Sequence, residues 1–434
     1  MATSPKAFLI ELYREYLSDA SFLYDQRHAL LADPEISWRD IDSFDERLEA
    51  CLDGLVVGGD LGIEVCKDRL ANGDAGEAYA AIRVLCRQGR KETVLETRSK
   101  LTLDEPERVT AMADALKQDC PEEWFDDLAE LEFAGEQGEA QLILFARVAG
   151  YRRWKRAAAK LAGALPNAGP EAIPEILWAM GRTGSEETRR LLTARLKDAN
   201  ERVRQSAADA LLSLHDSSVG SLLSAAKEPW AIRITALARG EAKSAVAPGT
   251  MLAPDTGAET ILALGLNGNV RAVPILLNSL GRSKQPAACA QALDLIIGAG
   301  VRETVFVPEP NAADSNGQGS SPELRPDGKP YGSTITRLAF DPKLWQKWWD
   351  EYGPNLDPNI RYRLGRVWSL GTVLATIEEA YMPSTIREWS AQEFRMHSGY
   401  DWSFDVDMPV AEQVTSLSAA RSWLGRNAGQ SIYP

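Results

Sequence analysis

The chain has 434 residues, of which 44% are apolar and 25% charged. This is the composition of a folded, water-soluble protein, and the length suits two or three domains or one long repeat array. A net charge of −14 argues against a general grip on nucleic-acid phosphates, so we expect nucleic acid to be an unlikely partner. The five cysteines lack CxxC spacing and the three histidines are scattered, so we expect free thiols, no metal and no cofactor.

Residues 1–75 are interpreted as an N-terminal helical cap. They contain two apolar, helix-like runs, FLIELYREYLSDASFLYDQRHALL and FDERLEACLDGLVVGGDLG. The first 25 residues hold no apolar run long enough for a signal peptide or a membrane span. We therefore expect a cytoplasmic protein without a membrane partner.

Residues 76–305 carry a repeat. The stretch LDEPERVTAMADAL (103–116) matches KDANERVRQSAADAL (197–211) at an offset of ~94 residues, or three units of ~31 residues, a period typical of stacked helix pairs. Apolar runs such as QLILFARVAG and ETILALGLNG end in Gly150 and Gly268, which predicts left-handed glycine caps at helix ends. Trp178, inside EILWAMG, is interpreted as a core residue.

These units resemble HEAT repeats of the short bacterial form that is related to phycobilin-lyase repeats. In that family an Asp in the turn and an Arg six residues later form a ladder between repeats, which Asp198 and Arg204 match. Asp104 matches the Asp, but Thr110 stands where the Arg would be, so the ladder is expected to be broken there. We assign Asp104, Asp198 and Arg204 a scaffold role. The fold predicted for the chain is all-α, a right-handed α-solenoid of HEAT-like helix pairs with atypical helical caps at both ends.

The next two segments change in composition. Residues 306–335 are rich in Pro, Gly, Ser and Asn, which predicts a long polar loop, with a short hairpin as an alternative. Residues 336–434 hold seven of the twelve tryptophans and are interpreted as a Trp-rich helical region. Aromatic and Arg side chains are enriched in binding hot spots but also suit core packing, and both readings stay open. The candidates are Trp345, Trp348, Trp349, Arg361, Arg363 and Arg366.

The run GYRRWKRAAAK offers a second candidate surface, formed by Arg152, Arg153, Trp154 and Arg156. It would suit an acidic partner or nucleic acid, and the alternative is a solvated helix face. The acidic total favours a protein partner. The cluster DCPEEWFDDLAELE lacks EF-hand spacing and a histidine, so it is interpreted as a solvated acidic face and not as a metal or acid–base site.

Three stretches together resemble an uncharacterised bacterial HEAT-repeat family whose genes often lie beside type VI secretion genes: SFLYDQRHALL…FDERLEACLDGL, the repeat core, and WWDEYG…RYRLGRVWS…FDVDMP. The resemblance implies no catalytic residues. It implies a non-enzymatic interaction protein that binds a secreted effector, a toxin or a secretion component, as an adaptor or an immunity protein. The alternatives are a lyase-like enzyme, as in the phycobilin-lyase relatives, and a HEAT-like nucleic-acid-binding protein.

Overall fold

A computed structural model describes residues 4–130, 135–238, 252–308, 325–326 and 331–427 of the chain. Within these ranges the chain is mostly helical, as the all-α prediction requires. The chain forms two compact units: unit 1 comprises Met1–Leu223 and Ile377–Pro434, and unit 2 comprises Ser224–Thr376. These boundaries differ from the predicted segments, because the Trp-rich region is divided between the two units.

The first part of unit 1 is helical. Its helices are α1 (Pro5–Ala32), α2 (Asp42–Val57), α3 (Gly59–Asn72), α4 (Ala75–Arg87), α5 (Lys91–Ser99), α6 (Pro106–Asp119), α7 (Phe125–Ala129), α8 (Gly135–Tyr151), α9 (Ala158–Ala164), α10 (Ala172–Thr183), α11 (Glu186–Arg195), α12 (Glu201–Ser213) and α13 (Ser218–Leu222). Longer and shorter helices alternate from α4 onward.

Unit 2 combines helices with two antiparallel hairpins. Its elements are α14 (Pro229–Ala238), α15 (Ala258–Asn267), α16 (Val273–Leu280), α17 (Pro286–Ile297), β1 (Arg302–Pro308), β2 (Gly332–Leu338), α18 (Pro342–Tyr352), β3 (Tyr362–Arg363) and β4 (Arg366–Val367). Helix α19 (Leu370–Glu378) leads back into unit 1, which ends with α20 (Ser384–Ser398) and α21 (Val410–Asn427).

The longer helices α4, α6, α8, α10 and α12 form one row in unit 1, in which each helix packs on the one before it. Small residues allow the helices to approach closely: Gly181 of α10 lies against the backbone of Ala210 in α12. Buried Ala and Leu side chains fill the interior of the row. We refer to these five helices as the inner row. It supplies the surface of the candidate site.

Arginines connect neighbouring repeats along the inner row. Arg147 of α8 donates to the Thr110 hydroxyl on α6 at 2.9 Å and to the Glu175 carboxylate on α10 at 2.8 Å. Arg182 of α10 donates to the Gly150 carbonyl at the end of α8 at 3.0 Å. Each bond joins residues about one repeat apart, so these side chains fix the spacing of successive helices.

The Asp198–Arg204 pair makes hydrogen bonds within its own turn. The Asp198 carboxylate accepts from the Asn200 backbone N–H and from Arg195, both at 3.0 Å, while Arg204 donates to the Asp198 backbone carbonyl at 3.0 Å. The backbone hydrogen bond from Asn200 is the main cause that lowers the Asp198 pKa. These contacts organise one turn. Asp104 lies exposed in the corresponding earlier turn.

The glycine prediction is confirmed at Gly268, which closes α15 with a left-handed φ of 72°. Gly298 closes α17 in the same way, with a φ of 58°. Gly150 is a different case, and the prediction of a left-handed cap is wrong there. It lies inside α8, where a Cβ atom would collide with the Trp178 ring on α10. Close helix packing therefore explains this glycine.

The all-α prediction omits the two hairpins of unit 2. Strands β1 and β2 pair in register, with Thr304 opposite Thr336 and Phe306 opposite Thr334, so strand structure extends into both ends of the predicted 306–335 loop. Residues 309–324 and 327–330 of that loop lie outside the described residues. No helix in the described part of the chain combines the length and the apolarity needed to cross a bilayer.

Candidate functional site

The C-terminal segment, residues 401–410, lies against the inner row and against α1 and α2. Two aromatic side chains hold its first half in place: Trp402 and Phe404 are each 1% exposed and stack with ring centroids 4.7 Å apart. The Trp402 indole N–H donates to the Ser416 carbonyl of α21 at 3.0 Å. The segment is therefore a built-in part of unit 1.

Asp405 anchors the middle of the C-terminal segment to the inner row. Its carboxylate accepts a hydrogen bond from Arg182 and lies 3.5 Å from the Arg153 guanidinium. Burial raises the pKa of this carboxyl, but the two guanidinium groups outweigh burial and lower the pKa overall. Arg153 lies two residues beyond the end of α8 and has a left-handed φ of 52°. The three side chains form a buried, charge-assisted clamp.

A third buried arginine, on α20, lies beside the clamp. Arg395 donates to the Phe404 carbonyl at 3.1 Å. Burial, followed by the like charges of Arg182 and Arg153, lowers the pKa of Arg395 to about 9. The His215 ring nitrogen Nδ1 lies 2.8 Å from the Arg395 carbonyl, and His215 has a left-handed φ of 58° at the end of α12. This contact ties α20 to the inner row.

The second aspartate of the segment joins a charged network. Asp407 lies 3.4 Å from the Lys117 ammonium on α6, and Lys117 also bonds Asp114 at 2.8 Å. Tyr24 of α1 donates to Asp114 at 2.9 Å. Burial alone would raise the pKa of Asp114, but hydrogen bonds from His28, Lys117 and Tyr24 hold it well below its usual range. The carboxylate therefore stays charged in the folded protein.

The end of the segment is fixed by α1 and α2. Arg27 of α1 donates to the Met408 carbonyl at 2.7 Å and to Asp45 of α2 at 2.6 Å. Asp45 in turn accepts from the Val410 backbone N–H at 2.8 Å. Arg27 and Asp45 thus bond the Met408 carbonyl and the Val410 N–H, where the segment enters α21.

An open groove crosses the inner row beside this segment. Lys117 lines the groove and also contacts Asp407. Helices α6, α8, α10 and α12 all contribute side chains. The Trp178 ring lines its wall, with the Arg182 guanidinium 4.6 Å from the ring centroid. Polar side chains surround the tryptophan: Thr110, Arg147, Glu175, Arg202, Gln205 and Ser206.

Trp178 is half-buried and faces the groove, so the prediction that it is a core residue is wrong. The helical spacing of Trp178 could have indicated that it faces the groove. Trp178 and the groove-lining Glu175 lie three residues apart, and therefore on one face of α10.

The predicted basic run turns out to contact the predicted acidic cluster. The Glu122 carboxylate accepts from Arg152 and from the Trp154 indole N–H, each at 2.9 Å, and lies 3.4 Å from Arg156. Trp154 is buried. Together with the Arg153–Asp405 contact, this pairing assigns the run to intramolecular structure. These contacts favour the structural interpretation of the run, and partner binding by its residues stays a prediction.

The C-terminal candidates separate into core and surface. Trp345 is fully buried and donates to the Ala339 carbonyl at 2.8 Å. Arg361 and Arg363, also buried, donate to the Leu266 carbonyl at 3.1 and 2.9 Å, where α15 ends. Arginines bonded to the last carbonyls of a helix stabilise its end. Of the two readings left open for these three residues, their burial favours core packing.

Trp348, Trp349 and Arg366 remain accessible. Both tryptophans are half-buried and pack against the core of unit 2, and Arg366 is exposed on β4. Of the cysteines, Cys66, Cys86, Cys120 and Cys289 are buried free thiols, as expected, while Cys51 is half-buried. Among the described residues, no group of three His, Cys, Asp or Glu side chains has the geometry to hold a metal ion.

Comparisons with known proteins give little further guidance. No protein-family model matches the chain, and no curated protein matches it. The X-ray structure of YibA from Escherichia coli is similar over 68% of this chain and 98% of its own length, at 15% sequence identity and a TM-score of 0.30. A likeness of this size carries no conclusion about function.

Proposed function

We propose that the protein is a non-enzymatic binding protein that holds a segment of another protein in the groove of unit 1. In this proposal the helix pairs form a right-handed, HEAT-like solenoid. The observation that supports this proposal best is the groove, which crosses four neighbouring helices of the inner row and has Trp178 in its wall. Equivalent faces of stacked helices are the usual binding surface of repeat proteins.

The dimensions favour a polypeptide over a small molecule. Packed helix axes lie about 8–10 Å apart, so a groove across four helices is ~24–30 Å long. An extended chain advances about 3.3 Å per residue, so roughly eight residues would fit. Small-molecule sites are mostly apolar and enclosed. This groove is open and lined mainly by side chains that can bond a peptide backbone, such as Thr110, Gln205 and Ser206.

The alternatives have less support. Nucleic-acid binding was the alternative considered for the basic run. Its residues Arg152, Arg153 and Arg156 bond carboxylates or carbonyls of the same chain. A lyase-like activity has no supporting contact among the described residues. The association with type VI secretion, as an effector adaptor or an immunity protein in the cytoplasm, depends on the resemblance of the chain's end motifs and stays a prediction.

A comparative pull-down tests the proposal. The tagged wild-type chain and the variant Arg202→Glu/Ser206→Trp, which reverses a charge and fills the groove, are expressed in the native host. Arg190→Glu, on the exposed side of α11, is the matched charge-reversal control. We expect one protein recovered stoichiometrically with wild type and control and lost with the groove variant. Equal recovery with all three chains would contradict the proposal.

A further inference from the structure

The outward face of α1 carries both exposed aromatic side chains and exposed acidic side chains. Phe8 and Phe22 are 60% and 58% exposed, although large apolar side chains normally face a core. The acidic residues Glu11, Glu15 and Asp19 lie exposed between them. We call these five residues the α1 face.

Helix geometry places the five side chains on one surface. At 3.6 residues per turn, Phe8 and Phe22 point within ~40° of each other and lie ~21 Å apart along the axis. Glu15 and Asp19 fall within about 20° of Phe8 on the same scale. The opposite side of α1 is occupied, because Leu17, Ala20 and Tyr24 are buried against the rest of unit 1.

The charge around this face is strongly negative. Residues 1–75 contain 16 Asp and Glu but only seven Lys and Arg, so they carry −9 of the chain's net −14. On the α1 face, Glu11 pairs with Arg14 at 2.8 Å. Glu15 and Asp19 have no opposite charge within ion-pair distance among the described residues. The outer face of a terminal repeat is usually polar. The two exposed phenylalanines of α1 therefore indicate a binding surface.

We propose that the α1 face binds a cationic segment of a partner protein, with an apolar side chain at each end of the contact and Lys or Arg between them. Charge complementarity selects this occupant. A second copy of the chain would bring Glu15 and Asp19 against the same residues, and like charges across an interface are unfavourable. A membrane carries anionic lipids that would repel the face. This surface is separate from the groove, whose lining residues lie on α6, α8, α10 and α12.

Peptide selection tests the proposal with the full-length chain. A phage library of random 16-residue peptides is panned on wild type and depleted on Glu15→Lys/Asp19→Lys. We expect enriched peptides that are rich in Lys and Arg and carry apolar residues near both ends. Binding is then measured by fluorescence anisotropy with a labelled enriched peptide. Phe8→Ser/Phe22→Ser should weaken it by about tenfold or more, because the apolar contacts are lost.

The control separates the face from bulk charge. Glu123→Lys/Glu187→Lys changes the net charge by the same amount at exposed positions on other helices, and it should leave the affinity within about twofold. Equal weakening by this control, an enriched set that is not cationic, or no enrichment would overturn the proposal. So would a wild-type dimer in sedimentation that Phe8→Ser/Phe22→Ser dissociates, because a second copy would then be the occupant.

Discussion

Replacing Asp405 tests the clamp that holds the C-terminal segment. The side chains of Asp405, Arg182 and Arg153 are 13%, 8% and 13% exposed, so Asp405→Asn leaves two buried guanidinium groups without their carboxylate. Breaking a buried ion pair from one side costs about 3–5 kcal/mol, and we expect ~3 kcal/mol because the amide oxygen can still accept one hydrogen bond. For unit 1, with about 280 residues and an unfolding entropy of about 2.1 cal/mol/K per residue, the melting temperature should fall by roughly 5 °C.

Asp407→Asn is the matched control, with the same change two residues away. Asp407 is 41% exposed and its contact with Lys117 is 3.4 Å long, so its loss should cost only about 0–1 kcal/mol. Both variants are followed by thermal and urea denaturation, monitored by tryptophan fluorescence. Equal, small shifts for the two variants would refute the reasoning that burial of the Asp405 pair makes it strong.

The pH dependence provides a second check on Asp405. Its pKa is lowered in the folded state, so its charge stabilises the fold fully above the pKa of an unfolded aspartate, ~3.9. That stabilisation is lost as the pH falls through the lowered folded-state pKa. The difference in unfolding free energy between wild type and Asp405→Asn should therefore be constant near pH 7 and shrink below about pH 4. A difference that grew on acidification would contradict the assignment.

Three further predictions concern the interiors of the two units. Trp345→Ala should destabilise unit 2 by about 3–5 kcal/mol in urea denaturation, whereas Leu344→Ala, at an exposed neighbour, should cost less than about 1 kcal/mol. Gly298→Ala should cost more than about 1 kcal/mol in the same assay, since φ is left-handed and a Cβ would meet the Leu364 backbone. Burial raises the pKa of the Cys66 thiol to about 12, so Cys66 should resist a thiol reagent at pH 8 until the chain unfolds.

The repeat period could have predicted contacts between neighbouring repeats as well as the helices themselves. Apolar periodicity predicts the helices of the inner row because it is a local signal. The pairing of Glu122 with Arg152 and Arg156 joins residues about one repeat apart. The two oppositely charged runs could therefore have been predicted to meet. Read separately, each looked like a solvated face or a binding surface.

The C-terminal segment could not be placed from the sequence alone. The contact between Asp405 and Arg182 spans 223 residues, and that between Arg27 and Met408 spans 381. No local pattern in FDVDMP specifies which helices it covers. The groove was missed for the same reason, because its side chains come from four helices and only their packing brings Trp178, Arg147 and Gln205 to one surface.

Site-specific photocrosslinking tests the central claim most directly. A benzoylphenylalanine is placed at Gln205 in the groove and, in a second chain, at Arg190 on the exposed side of α11, and both are irradiated in the native host. If the groove binds a partner, position 205 should give a discrete crosslinked product with one partner protein. Position 190 should give none of that product. The same products from both positions, or no product from position 205, would contradict a binding role for the groove.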